Sequence, residues 1–183
     1  RTYVLFMGDY SSSAPWSETS VKGCKRFLDR TAALSDLVSG GDVTPELEAS
    51  FHKTIKKVTA DIDLMKFNTA VAALMSLLNE IYDAGRLTKK ELSIFIRLLC
   101  PFAPHLCEEM WEQLGETGFA SLSAWPDYDE SKTVEKSIEV PIQINGKLRT
   151  VITVDADSSK ESILESARAD ERVSSAVDGK TIV

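Results

Sequence analysis

Apolar residues recur at three- and four-residue spacing in five consecutive segments between Ser17 and Gly115, and a turn or stop signal closes each one. Few folds accept that pattern. An amphipathic helix must bury its stripe, and short connections make successive helices run antiparallel. The first helix is predicted from Ser17 to Ser39, with Cys24, Phe27, Leu28, Leu34, Leu37 and Val38 on one broad face and Gly40-Gly41 as its stop. Thr44 as cap and Pro45 at the first helical position open the second, whose stripe is Leu47, Phe51, Ile55, Val58 and Ile62. Phe67, Val71, Leu74, Met75, Leu78 and Tyr82 mark a third helix that stops at Gly85. Thr88 and Glu91 have capping-box spacing and open a fourth, with Leu92, Phe95, Ile96 and Leu99, which Pro101 ends.

The fifth segment, "PFAPHLCEEMWEQLG", gathers a histidine, a cysteine and two glutamates in five residues. On a helix Leu106, Cys107, Met110, Trp111 and Leu114 form the apolar stripe, and His105, Glu108, Glu109, Glu112 and Gln113 face away. His105 and Cys107 are about 200° apart around the axis, so they cannot share an ion. A metal site is therefore not predicted here. Pro104 suits the first turn and Gly115 the stop. His52 and His105 have no ligand spacing either, and neither a Gly-rich phosphate loop nor a nucleophile-base pair stands out. No catalytic residue is assigned.

After "SLSAWPDYDES" the period falls to two. Ile138, Val140, Ile142 and Ile144 alternate with other residues, Asn145-Gly146 is a hairpin turn signal, and "KLRTVITV" is the return strand. A plain turn would pair Ile144 with Lys147 and Ile142 with Arg149. A one-residue slip through a bulge would pair Ile144 with Leu148 and Val140 with Ile152, and the bulge is favoured because it separates apolar from basic side chains. Ser158 to Ala169 reads as a short helix, and Asp178-Gly179 as a turn into a last strand. The predicted fold is mainly α: an antiparallel helical bundle, then a small α/β domain with a β-hairpin. Both ends of the chain lie inside apolar stretches, so it is expected to be part of a longer protein.

The net charge of -7 and the pI of about 4.9 argue on average against a nucleic-acid partner, DNA included, and against a membrane surface, and only a locally basic face could reverse that. Three cysteines without a C-x-x-C pair fit a reducing compartment. Such a face does exist: Lys22, Arg26 and Arg30 recur every four residues on the first helix, roughly opposite its apolar side, with Lys25 outside the stripe. They can be a solvated face or a phosphate-binding one. Lys53, Lys56, Lys57 and Lys66 form a weaker group diluted by Asp61 and Asp63. Trp16 can pack or serve as a stacking platform, with packing ahead; Trp111 reads as core and Trp125 as a clasp between linker and bundle. Lys147 and Arg149 either protect a strand edge or touch nucleic-acid phosphates.

"PWSETSVKGCKRFLDR", "KFNTAVAALMSLLNEIYDAG", "PFAPHLCEEMWEQLG", "WPDYDE" and "VPIQINGKLRTVITV" together resemble, in order and wording, the C-terminal part of bacterial leucyl-tRNA synthetases. The third segment is shared with valyl, isoleucyl and methionyl enzymes; "QINGKLR" points to the leucyl family. The resemblance implies a class I synthetase that joins leucine to tRNA(Leu) through an adenylate. Residues 1–16 would end the catalytic region, 17–125 would be the anticodon-binding helical bundle, 126–136 a linker, and 137–183 an incomplete C-terminal tRNA-binding domain. It implies ATP and Mg in the full-length enzyme and no cofactor in this region, a cytoplasmic location and a monomer. The His-Ile-Gly-His and Lys-Met-Ser-Lys-Ser signatures are absent, so this region alone is expected to be inactive. The residues that would touch tRNA are Trp16, Lys22, Lys25, Arg26, Arg30, Lys66, Lys147 and Arg149. The competing reading is a helical protein-interaction module whose basic residues are only solvated, and the third is the same region of a sister synthetase.

Overall fold

A computed structural model describes residues 1–9, 13, 15–41, 43–133, 137–144, 147–155, 158–170 and 172–174. The Asn145-Gly146 turn and the Asp178-Gly179 turn with its following strand fall outside them. The chain divides into two compact units, Arg1–Thr133 and Val134–Val183.

The first unit is helical. Its elements are α1 (Thr2–Phe6), α2 (Glu18–Ala32), α3 (Pro45–Asp63), α4 (Phe67–Ala84), α5 (Lys89–Leu99) and α6 (Pro104–Gln113). α4 is central, packing against α1, α3 and α5, while α6 packs on α5 and α2. Their stripes merge into one core that includes Leu34, Leu47, Ile55, Leu74, Leu78, Phe95, Ile96 and Trp111.

Local signals set most boundaries. Thr88 accepts from the Glu91 N–H and Glu91 reaches back to the Thr88 N–H, a complete capping box for α5. Gly85 closes α4 with φ of 68°, and Gly115 follows α6 with φ of 76°, a region where a Cβ would be strained.

Two expectations need correction. The first long helix ends at Ala32 rather than Ser39: Ala33–Leu37 is a 3-10 turn, and Val38–Ser39 (β1) pairs in parallel with Leu87–Thr88 (β2). Three residues per turn aligns Leu34 with Leu37, so Leu34 is wholly buried and Leu37 packs on the core. Val38 is released to the strand pair. Thr44 does sit at the N-cap of α3, with Pro45 after it, but its side chain makes no capping bond. Its hydroxyl donates instead to Glu91 Oε2 (2.9 Å), and its N–H to Oε1 (2.7 Å).

Residues 125–133 lie along α3. Trp125 Nε1 donates to Thr59 Oγ1 (2.8 Å), the Asp129 N–H to His52 Nδ1 (3.0 Å), and Lys132 pairs with Glu48 (2.7 Å). The Trp125 clasp is thus present. Trp125→Ala is expected to cost about 1 kcal/mol and to speed tryptic cleavage at Lys132, since the lost bond and packing release the segment locally. An unchanged cleavage rate would show that the remaining contacts to α3 suffice.

In the second unit β3 (Ser137–Ile144) and β4 (Lys147–Asp155) form an antiparallel hairpin, followed by α7 (Lys160–Ala169). Ser159 caps α7 by accepting from the Ser162 N–H. The bulge is real but placed differently from the expectation. Ile144 faces Lys147 and Gln143 faces Leu148; Arg149 is then skipped, so Ile142 faces Thr150 and Val140 faces Ile152. The skip brings Val140 and Ile142 into phase with Ile152 and Val154, against Ala167 and Ile163 of α7.

Candidate nucleic-acid interface

Lys22, Arg26 and Arg30 lie on the face of α2 turned from Cys24, Phe27 and Thr31, which are buried. A step of four residues advances about 400°, so each cation sits about 40° further around than the last. Arg30 therefore reaches the groove between α2 and α4. Lys22 and Arg26 are exposed and, among the described residues, form no ion pair or hydrogen bond. Arg30 is half-buried: its Nη1 donates to Asn79 Oδ1 (2.9 Å), its Cζ lies 4.5 Å from the Tyr82 ring centre, and the Tyr82 hydroxyl donates to the Arg30 carbonyl (2.8 Å). None of these partners is a carboxylate, so the stripe keeps its three positive charges. Arg26, Arg30 and Asn79 border a groove of about 320 Å³, and Phe27, Met75 and Leu78 also line it.

The other predicted residues are placed differently. Lys25 is held by Asp29 (2.6 Å) on the adjacent face, an exposed pair that removes its net charge from the stripe. Trp16, expected to pack, is 69% exposed; its indole and the Tyr3 ring meet edge to face, 5.0 Å between ring centres. Ser17, next to it, accepts from the Ser20 N–H as the cap of α2. Lys66 is exposed at the corner between α3 and α4, after Met65, whose φ of 58° is unusual for a side chain with a Cβ. Lys147 and Arg149 belong to the second unit, both exposed, with Arg149 the skipped residue of the bulge.

Carboxylates hold much of the weaker basic group. Lys57 pairs with Asp61 (2.6 Å), and Lys56 pairs with Glu130 and lies 6.0 Å from the Tyr128 ring. The bond to Glu130 raises the Lys56 pKa above the usual lysine value, and the bond to Glu48 does the same for Lys132. A 540 Å³ groove runs past Lys53, Lys56 and Lys57, yet its cations are already committed in part.

The segment "PFAPHLCEEMWEQLG" supplies α6, with Cys107, Met110 and Trp111 in the core. Cys107 is buried, and the interaction between its thiol and that of Cys100 pushes Cys107 up, with burial adding to it, and lowers Cys100. Glu108 accepts from the Ala120 N–H (2.7 Å) and the Ser121 N–H (3.0 Å). Burial raises its pKa, but the bonds from Ser121 and Ala120 together outweigh that and hold it below the usual carboxylate value. His105 is exposed. Among the described residues no three His, Cys, Asp or Glu side chains converge as a metal site.

Asn79 and Tyr82 were missed from sequence. Tyr82 counts as an apolar stripe residue and Asn79 as nothing, because their link to Arg30 spans 49 and 52 residues.

Among the described residues the helical unit, acidic overall, presents a cationic helix face without a carboxylate partner, and clustered cations of this kind are an electrostatic footprint that suits a polyanion. The family described as "Anticodon-binding domain of tRNA ligase" matches residues 45–164, and the chain belongs to it. It is 47% identical over 184 residues to the leucine–tRNA ligase of Alkaliphilus oremlandii, covering 100% of this chain and 23% of that protein. It is 39% identical over 186 residues to the leucine–tRNA ligase of Bdellovibrio bacteriovorus, covering 98% of this chain and 23% of that one. Among solved structures it is similar to Agrobacterium radiobacter LeuRS in a ternary complex with tRNA and LeuAMS, with a TM-score of 0.69 and 28% identity over 100% of this chain and 26% of that one. The chain thus spans about a quarter of the length of the relatives it matches. Among the described residues no helix is long and apolar enough to cross a membrane.

Proposed function

We propose that this chain is the tRNA-gripping region of a leucine–tRNA ligase and that it positions tRNA(Leu) for aminoacylation by domains outside it. The leucine–tRNA ligase relatives and the likeness to a LeuRS bound to tRNA support the substrate. The observation that carries the role is the stripe of Lys22, Arg26 and Arg30, three cations without a carboxylate partner among the described residues. Phosphate contacts of this kind fix the orientation of an RNA body without reading its bases. Trp16 would contribute from just before α2, Lys66 from the corner between α3 and α4, and Lys147 and Arg149 from the second unit. Lys25, neutralised by Asp29, would contribute least.

In this reading ATP and Mg serve adenylate formation in domains outside this chain; among the described residues no metal cluster is present, and the sequence carries no Gly-rich phosphate loop. The enzyme would work in the cytoplasm, as a monomer.

The test replaces Arg26 and Arg30 together by alanine in the full-length protein and measures binding of a tRNA(Leu) transcript across a salt series. Affinity should fall roughly tenfold or more at low salt, and the slope of log affinity against log salt should flatten by about 1.5, the share of two phosphate contacts. If affinity and slope both stay at the parent values, the basic face is merely solvated and a protein-interaction module becomes the better reading.

A further inference from the structure

Arginine presents its donors as a planar fork, and the Nε/Nη2 edge alone can clamp two phosphate oxygens. In Arg30 the bond to Asn79 uses Nη1, on the other side of that fork. The Arg30 Cζ lies over the Tyr82 ring, 4.5 Å from its centre, and the Tyr82 hydroxyl donates to the Arg30 carbonyl. Among the described residues nothing else bonds the Arg30 side chain, so the Nε/Nη2 edge is left open. Lys22 and Arg26, by contrast, have no side-chain hydrogen bond or ion pair among the described residues. One cation of the stripe is therefore fixed before any ligand arrives, and both residues that fix it stand on α4, a helix with no basic residue of its own between Phe67 and Ala84.

We propose that Asn79 and Tyr82 are positioning residues that pre-set the Arg30 guanidinium for bidentate capture of one RNA phosphate. The inference rests on the proposed tRNA-gripping role and adds the α4 residues to it. Immobilising a long side chain in advance spares that cost at binding, so losing the restraint weakens the complex without removing the charge. A charge deletion and a restraint deletion then differ in signature: the first lowers the salt slope, the second does not.

The experiment is a cycle of four full-length proteins: parent, Asn79→Ala, Arg30→Ala and the double variant, each titrated with a tRNA(Leu) transcript at several salt concentrations. Asn79 is exposed and mid-helix, where alanine is well tolerated. Asn79→Ala should weaken binding roughly fivefold at unchanged slope. In the Arg30→Ala background the same change should alter affinity less than twofold, because its target is gone. Arg30→Lys should keep the slope yet lose affinity comparably, as an ammonium cannot form the fork. Equal loss from Asn79→Ala in both backgrounds, or no loss in the parent, overturns the positioning role even where Arg26 and Arg30 still matter for tRNA. Silence of the Arg26 and Arg30 variants themselves would strike the underlying tRNA reading instead.

Discussion

Replacing Glu91 by alanine should destabilise the helical unit by roughly 3 to 5 kcal/mol, lowering its melting temperature by on the order of 10 °C. The side chain is 2% exposed, and its two oxygens accept from three donors: the Thr44 N–H, the Thr44 hydroxyl and the Thr88 N–H. Those donors begin two different helices, α3 and α5, so one carboxylate closes both ends at once. Alanine strands at least two buried N–H groups in a place where water cannot replace the acceptor. Glu91→Gln tests the account further. An amide preserves shape but turns one acceptor into a donor that faces existing donors, so it should recover less than half of the loss. Thermal or denaturant unfolding of the chain measures both, and an alanine variant within about 0.5 kcal/mol of the parent would contradict the network's importance.

Leu74→Ala should cost about 3 kcal/mol. Leu74 is fully buried near the middle of α4, the helix against which α1, α3 and α5 pack. The lost methyl groups forfeit transfer free energy and leave a cavity that three neighbouring helices cannot all relax to fill. Leu74→Met, nearly equal in volume, should lose less than about 1.5 kcal/mol. Denaturant midpoints at constant m-value distinguish the two, and equal losses would mean that side-chain shape, not the void, sets the cost. Because Asn79 and Tyr82 ride on the same helix, the alanine variant should also lower the temperature at which the proposed RNA binding is lost.

Local chemistry made most of the helical unit readable. The Thr88 and Glu91 pair, Pro45 and Pro104 at first positions, and Gly85 and Gly115 at stops each act within a few residues, and the structure places each of them at the expected helix end. What escaped was decided at a distance. The parallel pairing of Val38 with Leu87, the capture of Thr44 by Glu91 and the seat of Arg30 on Asn79 and Tyr82 join residues about 47 to 52 positions apart. Sequence period cannot report a partner that far away. The hairpin shows both sides: the alternating pattern implied a bulge, while its position at Arg149 was set by the packing of Val140 and Ile142 towards α7. The candidate site divides likewise. Four-residue spacing revealed the stripe, but that Lys25 is cancelled by Asp29, that Trp16 stands in solvent and that Arg30 alone is braced became visible only in three dimensions.

The winding of Lys22, Arg26 and Arg30 around α2 limits how many anions that face can ever hold. A row advancing about 40° for every 6 Å of rise circles the axis once in about 54 Å, so its ends soon look in different directions. One step before Lys22 stands Glu18, and one step beyond Arg30 stands Leu34, sealed in the interior. The row is closed at both ends: it carries three cations over about 12 Å.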